Sequence, residues 1–351
     1  MRKLFLYTAS SFALTLLIVV LAFFWLAENA LQQPLKIEED QALVVESGSS
    51  PAQLLDRLER DGIIQGSNWL RWMWRLKQEN PVVQVGEYSL EPGMTLAELL
   101  ARWRQGDVQQ YRITLVEGWN FKQFREALAR EERLQQTLIE LSDAQIMQLL
   151  EREGLHPEGR FYPDTYQFYR GQSDLDILRQ ANRRLETVLA QEWEQRADGL
   201  PYASPDEALI MASIIEKETG AAHERSEIAG VFVRRLQRKM LLQTDPTVIY
   251  GMGERYKGRI TRADLRRPTP YNTYTNAGLP PTPIAMVGRA AITAALNPAD
   301  GDTLYFVAKG DGTHQFSRTL QEHNRAVREY QLKRREGYRS TVEPIAPKET
   351  P

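Results

Sequence analysis

Residues 209–220 read LIMASIIEKETG, an apolar run that breaks into charge at Glu216, Lys217 and Glu218. At about 100° per residue, Ala208, Met211, Ala212 and Ile215 share one stripe of a helix, with Lys217 opposite. Glu218 falls at the edge of that stripe, whereas Glu216 points well away from it. Desolvation at the end of an apolar face penalises a charged carboxyl and raises its pKa. A glutamic acid held in this way stays protonated near neutral pH and can act as a general acid. Geometry alone also allows a plainer reading, a last helical turn with two solvated glutamates.

Outward from this stretch, Ser204-Pro205-Asp206-Glu207 has capping-box spacing, with proline at the first helical position. The central helix is therefore expected over 205–218, with Gly220 as its C-terminal stop. A second helix is expected over 224–239, with Ile228, Val231, Phe232 and Leu236 turned inward. A long amphipathic helix over 175–193 carries Leu178, Leu185, Val188 and Leu189 on its apolar side.

Beyond the central helix come LQTDPTVIYG (242–251), PYNTY (270–274), NAGLPPTPI (276–284) and LNP (296–298). Groups that both donate and accept, set in segments too apolar for plain surface, suit a carbohydrate groove. Gln243, Thr244, Asp245, Tyr250, Tyr271, Asn272, Tyr274 and Asn297 are the candidates here. Little periodicity runs through this Pro- and Gly-rich region, which is expected to be ordered loop shaping a cleft. Upstream, EGRFYPDTY (158–166) mixes aromatics and carboxylates, so Glu158 and Tyr166 join the candidates. A Pro-Asp turn among core aromatics would look the same. A short strand is expected over 304–308. HQFS (314–317) and EHN (322–324) lead into a final helix over 319–333, and the polar stretch 340–351 is expected to be disordered.

At the other end, no charge interrupts residues 4–27, about 36 Å if helical, against a hydrocarbon core of about 30 Å. Arg2 and Lys3 precede the run, and acidic residues follow it. The positive-inside rule leaves residues 1–3 in the cytoplasm and the rest of the chain outside. Bulky Phe23, Phe24 and Trp25 close the run without a small-x-small cleavage site, which favours an uncleaved anchor over a signal peptide. A short polar linker follows around 32–40.

Three loose repeats come next, GSSPAQLL (48–55), GMTLAELL (93–100) and GWNFKQF (118–124). Each reads as strand, tight turn and capped helix, with Ser50 and Gln53, Thr95 and Glu98, and Asn120 and Gln123 at capping-box spacing. Strands are expected over 42–45, 86–90 and 111–116, and helices over 51–59, 96–104 and 121–129. Trp69, Trp72 and Trp74, at near-helical spacing, fit core packing better than a sugar-stacking platform. The repeats resemble a LysM-like module, which binds the glycan backbone of bacterial cell wall, over roughly 37–110.

Composition sets the bounds. A chain of 351 residues, 42% hydrophobic and 26% charged, can bury a sizeable core and form two or three domains. Its net charge of -2 gives no basic excess for nucleic acid. With no cysteine and four scattered histidines, neither disulfides nor a metal centre is expected.

Taken in order, ASIIEKET, LQTDPTVIY, PYNTY, GLPPTPI, LNP and HQFS with EHN resemble the YceG-like family, from about residue 37 to residue 330. The resemblance implies an α+β chain: a single-pass anchor (4–27), the LysM-like module (37–110), a mixed α+β catalytic domain with long ordered loops (111–338) and a tail (339–351). It implies cleavage of the bond between N-acetylmuramic acid and N-acetylglucosamine inside peptidoglycan strands, with a 1,6-anhydromuramic acid end and no cofactor. Glu218 would be the catalytic acid and base. It further implies a protein at the outer face of the bacterial inner membrane that ends strand elongation beside penicillin-binding-protein synthases. Two other readings stand beside it: a hydrolytic muramidase using Asp245, Asp164 or Glu158 as second carboxylate, and an anchored glycan-binding scaffold without catalysis.

Overall fold

The computed structural model describes residues 2–71 and 82–332. Trp72, Trp74 and the tail expected over 339–351 lie outside the described residues. The chain divides into two compact units: residues 1–111 with 133–135 and 167–172, and residues 112–132, 136–166 and 173–351.

In the first unit, α1 (Arg2–Leu31) carries an 18-residue apolar window, Leu14–Leu31, long enough to cross a membrane. The segment after it is no polar linker. Leu35 and Ile37 are buried, the Leu35 amide donates to the Met94 carbonyl at 2.7 Å, and Pro34 bridges to Thr95. Strands β1 (Gln41–Val45) and β2 (Gly86–Leu90) pair antiparallel, Leu43 opposite Tyr88. Helices α2 (Pro51–Arg60) and α3 (Leu96–Gln105) start at Ser50 and Thr95, each with a complete capping box. Their faces bury Leu54, Leu55, Leu58, Leu96, Leu99 and Trp103 in one core, against which Trp69 packs.

The third repeat keeps the local pattern. After β3 (Gln110–Thr114), Asn120 and Gln123 cap α4 (Phe121–Arg130) with the same reciprocal bonds. Gly48, Gly93 and Gly118 all have φ between 75° and 86°, a region where an added Cβ is penalised. Strand β3 pairs with β4 (Thr165–Tyr169), and the division between the units falls inside both strands.

The second unit forms around α7 (Pro205–Glu218), following α5 (Asp143–Leu149) and α6 (Asp174–Glu194). Every residue from Ala208 to Ile215 on α7 is buried, so the expected apolar stripe extends around the whole circumference. That is the pattern of a helix enclosed by others. Its neighbours are α6, α8 (Arg225–Gln237) and α11 (Arg289–Leu296). Full burial of each large side chain contributes about 1.5–3 kcal/mol, and Leu209, Met211, Ile214 and Ile215 all bury on this helix.

Both expected ends of α7 are modified. Ser204 accepts the Glu207 amide, but the Glu207 carboxylate turns to the Ala203 amide, so the box is not reciprocal. Thr219, extended at φ -143°, stops the helix in place of a left-handed Gly220. Its hydroxyl accepts the Ala221 amide, which turns the chain.

Residues 242–298 are less looped than expected. They contain α9 (Asp245–Met252), α10 (Arg262–Arg266) and α11. Proline near the start of α9 is a helix-initiating signal, and the reading of LQTDPTVIYG as groove-lining loop passes over it. Strand β5 (Tyr305–Ala308) also has a partner that periodicity did not reveal, β6 (His314–Ser317), with Phe306 opposite Phe316. The final helix α12 (Leu320–Val327) starts from Thr319 and loosens into a π turn at Arg328–Leu332.

Candidate active site

Glu218 is the last residue of α7, at the point where apolar enclosure ends. The residue is half-buried, and its carboxyl accepts the hydroxyl of Thr244, the N-cap of α9. Burial pushes its pKa up to about 7, and the nearby Asp245 carboxylate adds to this. The Thr244 hydroxyl and the Arg235 guanidinium oppose the shift.

The elements around Glu218 are held by an internal polar frame. Thr244 is buried, and its amide donates to the Thr273 hydroxyl at 3.1 Å. Thr247 lies 2.9 Å from the same hydroxyl and donates to the Thr244 carbonyl. Gln243 is exposed at φ 52°, a costly conformation for a side chain with a Cβ, and its amide donates to the Thr273 carbonyl. Asp245 is exposed and accepts the Tyr274 hydroxyl at 2.6 Å. Thr244, Asp245 and Tyr274 therefore gather beside Glu218, with Gln243 next to Thr244 in the chain.

The other candidates have different positions. Asn272 is buried, with its amide on the carbonyls of Leu265 and Arg267 and its oxygen on the Tyr274 amide. It holds the loop and has no group left for a sugar. The buried Tyr166 spends its hydroxyl on the Tyr162 carbonyl at 2.6 Å. Asn297 ends α11 in the open, whereas the start of that helix meets α7 through the Gly288 amide and Glu216. Eight residues, roughly 12 Å of helix, separate those ends. Tyr271 packs edge-on against Tyr250 with ring centres 4.8 Å apart.

Glu216 is not solvated, although the wheel turns it from the apolar stripe. It accepts the Gly288 amide at 3.2 Å, with Arg225 at 4.0 Å, and burial raises its pKa. Lys217 is exposed and donates to the Gly118 carbonyl.

Glu158 forms a second buried acid. Its two oxygens accept the Phe121 amide at 3.1 and 3.2 Å, and the Tyr250 hydroxyl on α9 lies near enough to favour its ionised form. Burial pushes this pKa up to about 7 against both bonds. Glu158, Tyr250 and Lys217 share the wall of a cavity of about 1050 Å³, whereas Glu218 does not line it.

Arg235 was missed by the sequence reading. It is buried with its guanidinium on the carbonyls of Leu242 and Leu304, and it raises the acidity of Glu218. Its signal was present, since Arg235 follows Ile228 and Phe232 at i+7 and i+3 on the inward face of α8. Among the described residues, no group of three or more His, Cys, Asp or Glu side chains is placed to hold a metal ion.

The arrangement supplies a proton donor beside hydrogen-bonding groups, as glycosidic bond cleavage requires. Residues 43–329 match the family model described as the YceG-like family. The chain belongs to the YceG-like family. This YceG-like chain is 33% identical over 320 residues to the endolytic murein transglycosylase of Bacillus subtilis (strain 168), an alignment covering 84% of this chain and 87% of that protein. It is 26% identical to the endolytic murein transglycosylase of Streptococcus pneumoniae (strain D39), covering 82% of this chain and 57% of that longer protein. A 2.6 Å crystal structure of a YceG-like protein from Listeria monocytogenes superposes with a TM-score of 0.51 at 29% identity, covering 82% of this chain and 99% of the other.

Proposed function

We propose that this YceG-like chain is an endolytic murein transglycosylase whose acid and base are both Glu218. The observation that carries the reading is the Glu218 carboxyl, held by the Thr244 hydroxyl at the polar end of a buried helix, where burial raises its pKa. In the reaction, the Glu218 carboxyl gives its proton to the glycosidic oxygen as the bond to C1 of N-acetylmuramic acid breaks. The 6-hydroxyl of the same sugar attacks C1, and its proton passes to the Glu218 carboxylate. The products are an N-acetylglucosamine 4-hydroxyl and a 1,6-anhydro end, and the enzyme recovers its starting protonation without water.

Gln243, Thr244, Asp245 and Tyr274 hold the sugars at this centre, since the last three gather around the carboxyl and Gln243 adjoins Thr244. Preorganised dipoles there stabilise the oxocarbenium-like charge. The apolar window of α1 supports anchoring in the bacterial inner membrane, with the N-terminus cytoplasmic and the remainder periplasmic. The paired strands and capped helices of the first unit support a LysM-like glycan-binding role over 37–110, with catalysis over 111–338. Acting on nascent strands beside penicillin-binding-protein synthases, the enzyme would end their elongation.

Asp245 favours a second reading. A neighbouring carboxylate can activate water as in an inverting glycosidase, or attack as in a retaining one, and Asp245 is near enough to raise the Glu218 pKa. Mass spectrometry of digested sacculi separates the two. Anhydro ends support transglycosylation, reducing ends support hydrolysis, and binding without fragments leaves only a scaffold.

A further inference from the structure

The cavity of about 1050 Å³ in the second unit has no part in the step assigned to Glu218. It continues from the site on two elements. Lys217 directly precedes Glu218 on α7, and Pro246, Ile249 and Tyr250 follow Thr244 along α9. Its size is at the upper end of small-molecule sites, about 300–1000 Å³.

The wall combines aromatic rings with polar groups that already have partners. Phe121, Tyr250 and Tyr256 supply apolar faces. The cations are engaged: Lys122 with Glu254 at 2.8 Å, Arg125 with Asp143 at 2.9 Å, and Lys217 with the Gly118 carbonyl at 3.0 Å. The buried acid Glu158 has the Phe121 backbone amide as its partner instead of a cation. Such a wall suits a ligand that is neutral, has flat apolar faces and both donates and accepts hydrogen bonds. Five carboxyl groups against three cations on the wall disfavour an anionic peptide.

We propose that this cavity is a saccharide subsite, holding N-acetylated sugars of the glycan away from the bond that Glu218 cleaves. The Tyr250 hydroxyl and the Glu158 carboxyl, both on its wall, provide its polar anchors. The proposal rests on the reading of the substrate as peptidoglycan and adds a second place where the strand is gripped.

The test uses the full chain in detergent with Glu218→Gln, so that bound strands stay intact. The probes are uncrosslinked glycan strands polymerised in vitro, with stem peptides present or removed by an amidase. Tyr250→Phe and Glu158→Gln keep the shape of the buried network. Ile139→Trp, at an exposed wall position, blocks the cavity without touching that network. Each variant is expected to raise Kd about tenfold for both strand types, the effect of losing one hydrogen bond or equivalent contact. The strand-induced rise in Tm should shrink with it. In protein retaining Glu218, the same variants raise KM more than they lower kcat.

Unchanged Kd in Ile139→Trp and Tyr250→Phe overturns the proposal, as does binding that vanishes once the stem peptides are removed. Cleavage that survives Glu218→Gln would refute the catalytic reading and leave the binding comparison interpretable.

Discussion

Thr244 donates its hydroxyl to the carboxyl of Glu218, so the N-cap of α9 is fastened to the last residue of α7. This bond favours the ionised form while burial favours the neutral one, so the two oppose each other at one carboxyl. Thr244→Val removes the opposing bond and shifts the Glu218 pKa upward. The alkaline midpoint of kcat/KM, measured across a pH series, moves to higher pH, and an unmoved midpoint would show that the hydroxyl has no hold on the proton.

Glu218→Gln keeps the side-chain volume and removes the proton. Turnover of glycan strands falls by at least about 10²–10⁴, the range contributed by general acid–base groups. Mass spectrometry of the digest then shows no new anhydro ends.

With Glu218 as the proposed acid, activity is expected to show one falling limb. Glu218 must start protonated, so the rate is steady below its pKa and declines as pH rises through about 7. Glu158 has a similar pKa. A profile of Glu158→Gln that retains the limb assigns it to Glu218.

Stability follows the same sign. The folded-state pKa of Glu218 lies above its ordinary value of 4.5, so between about 4.5 and 7 the folded state binds more protons than the unfolded one. Stability therefore falls as pH rises through that window and levels off above it. Glu218→Gln should raise Tm at pH 8 relative to the parent, with little change at pH 4. A lower Tm at pH 8 would contradict a desolvated carboxyl.

Gly159 has φ 73°, and a Cβ there would stand 2.3 Å from the Pro283 ring. Gly159→Ala combines backbone strain with overpacking, at a cost of about 1–3 kcal/mol from each. Denaturant titration should show the loss of stability, and the displaced Glu158 should lose its hold on Phe121.

Legibility in the sequence followed locality. Ser50, Thr95 and Asn120 announced their helices because a capping box is settled within four residues. The burial of Ala208, Met211, Ala212 and Ile215 followed from their spacing. The burial of Glu216 could not be read from helix spacing, because its partner, the Gly288 amide, is 72 residues away. Asn272 looked like a sugar ligand since its type suits one, yet backbone carbonyls five to eight residues earlier take its amide. Strand β6 escaped notice because four residues with one half-buried phenylalanine give no usable alternation.

The meeting of α7 and α9 at one carboxyl has an electrical consequence. Glu218 stands at the negative tail of one helix macrodipole and beside the positive head of another, so the two fields pull its proton affinity in opposite directions. A small tilt of α9 toward the carboxyl makes it a stronger acid, and a tilt away makes it a stronger base. Whatever shifts Thr244 against the carboxyl therefore shifts the acidity of Glu218.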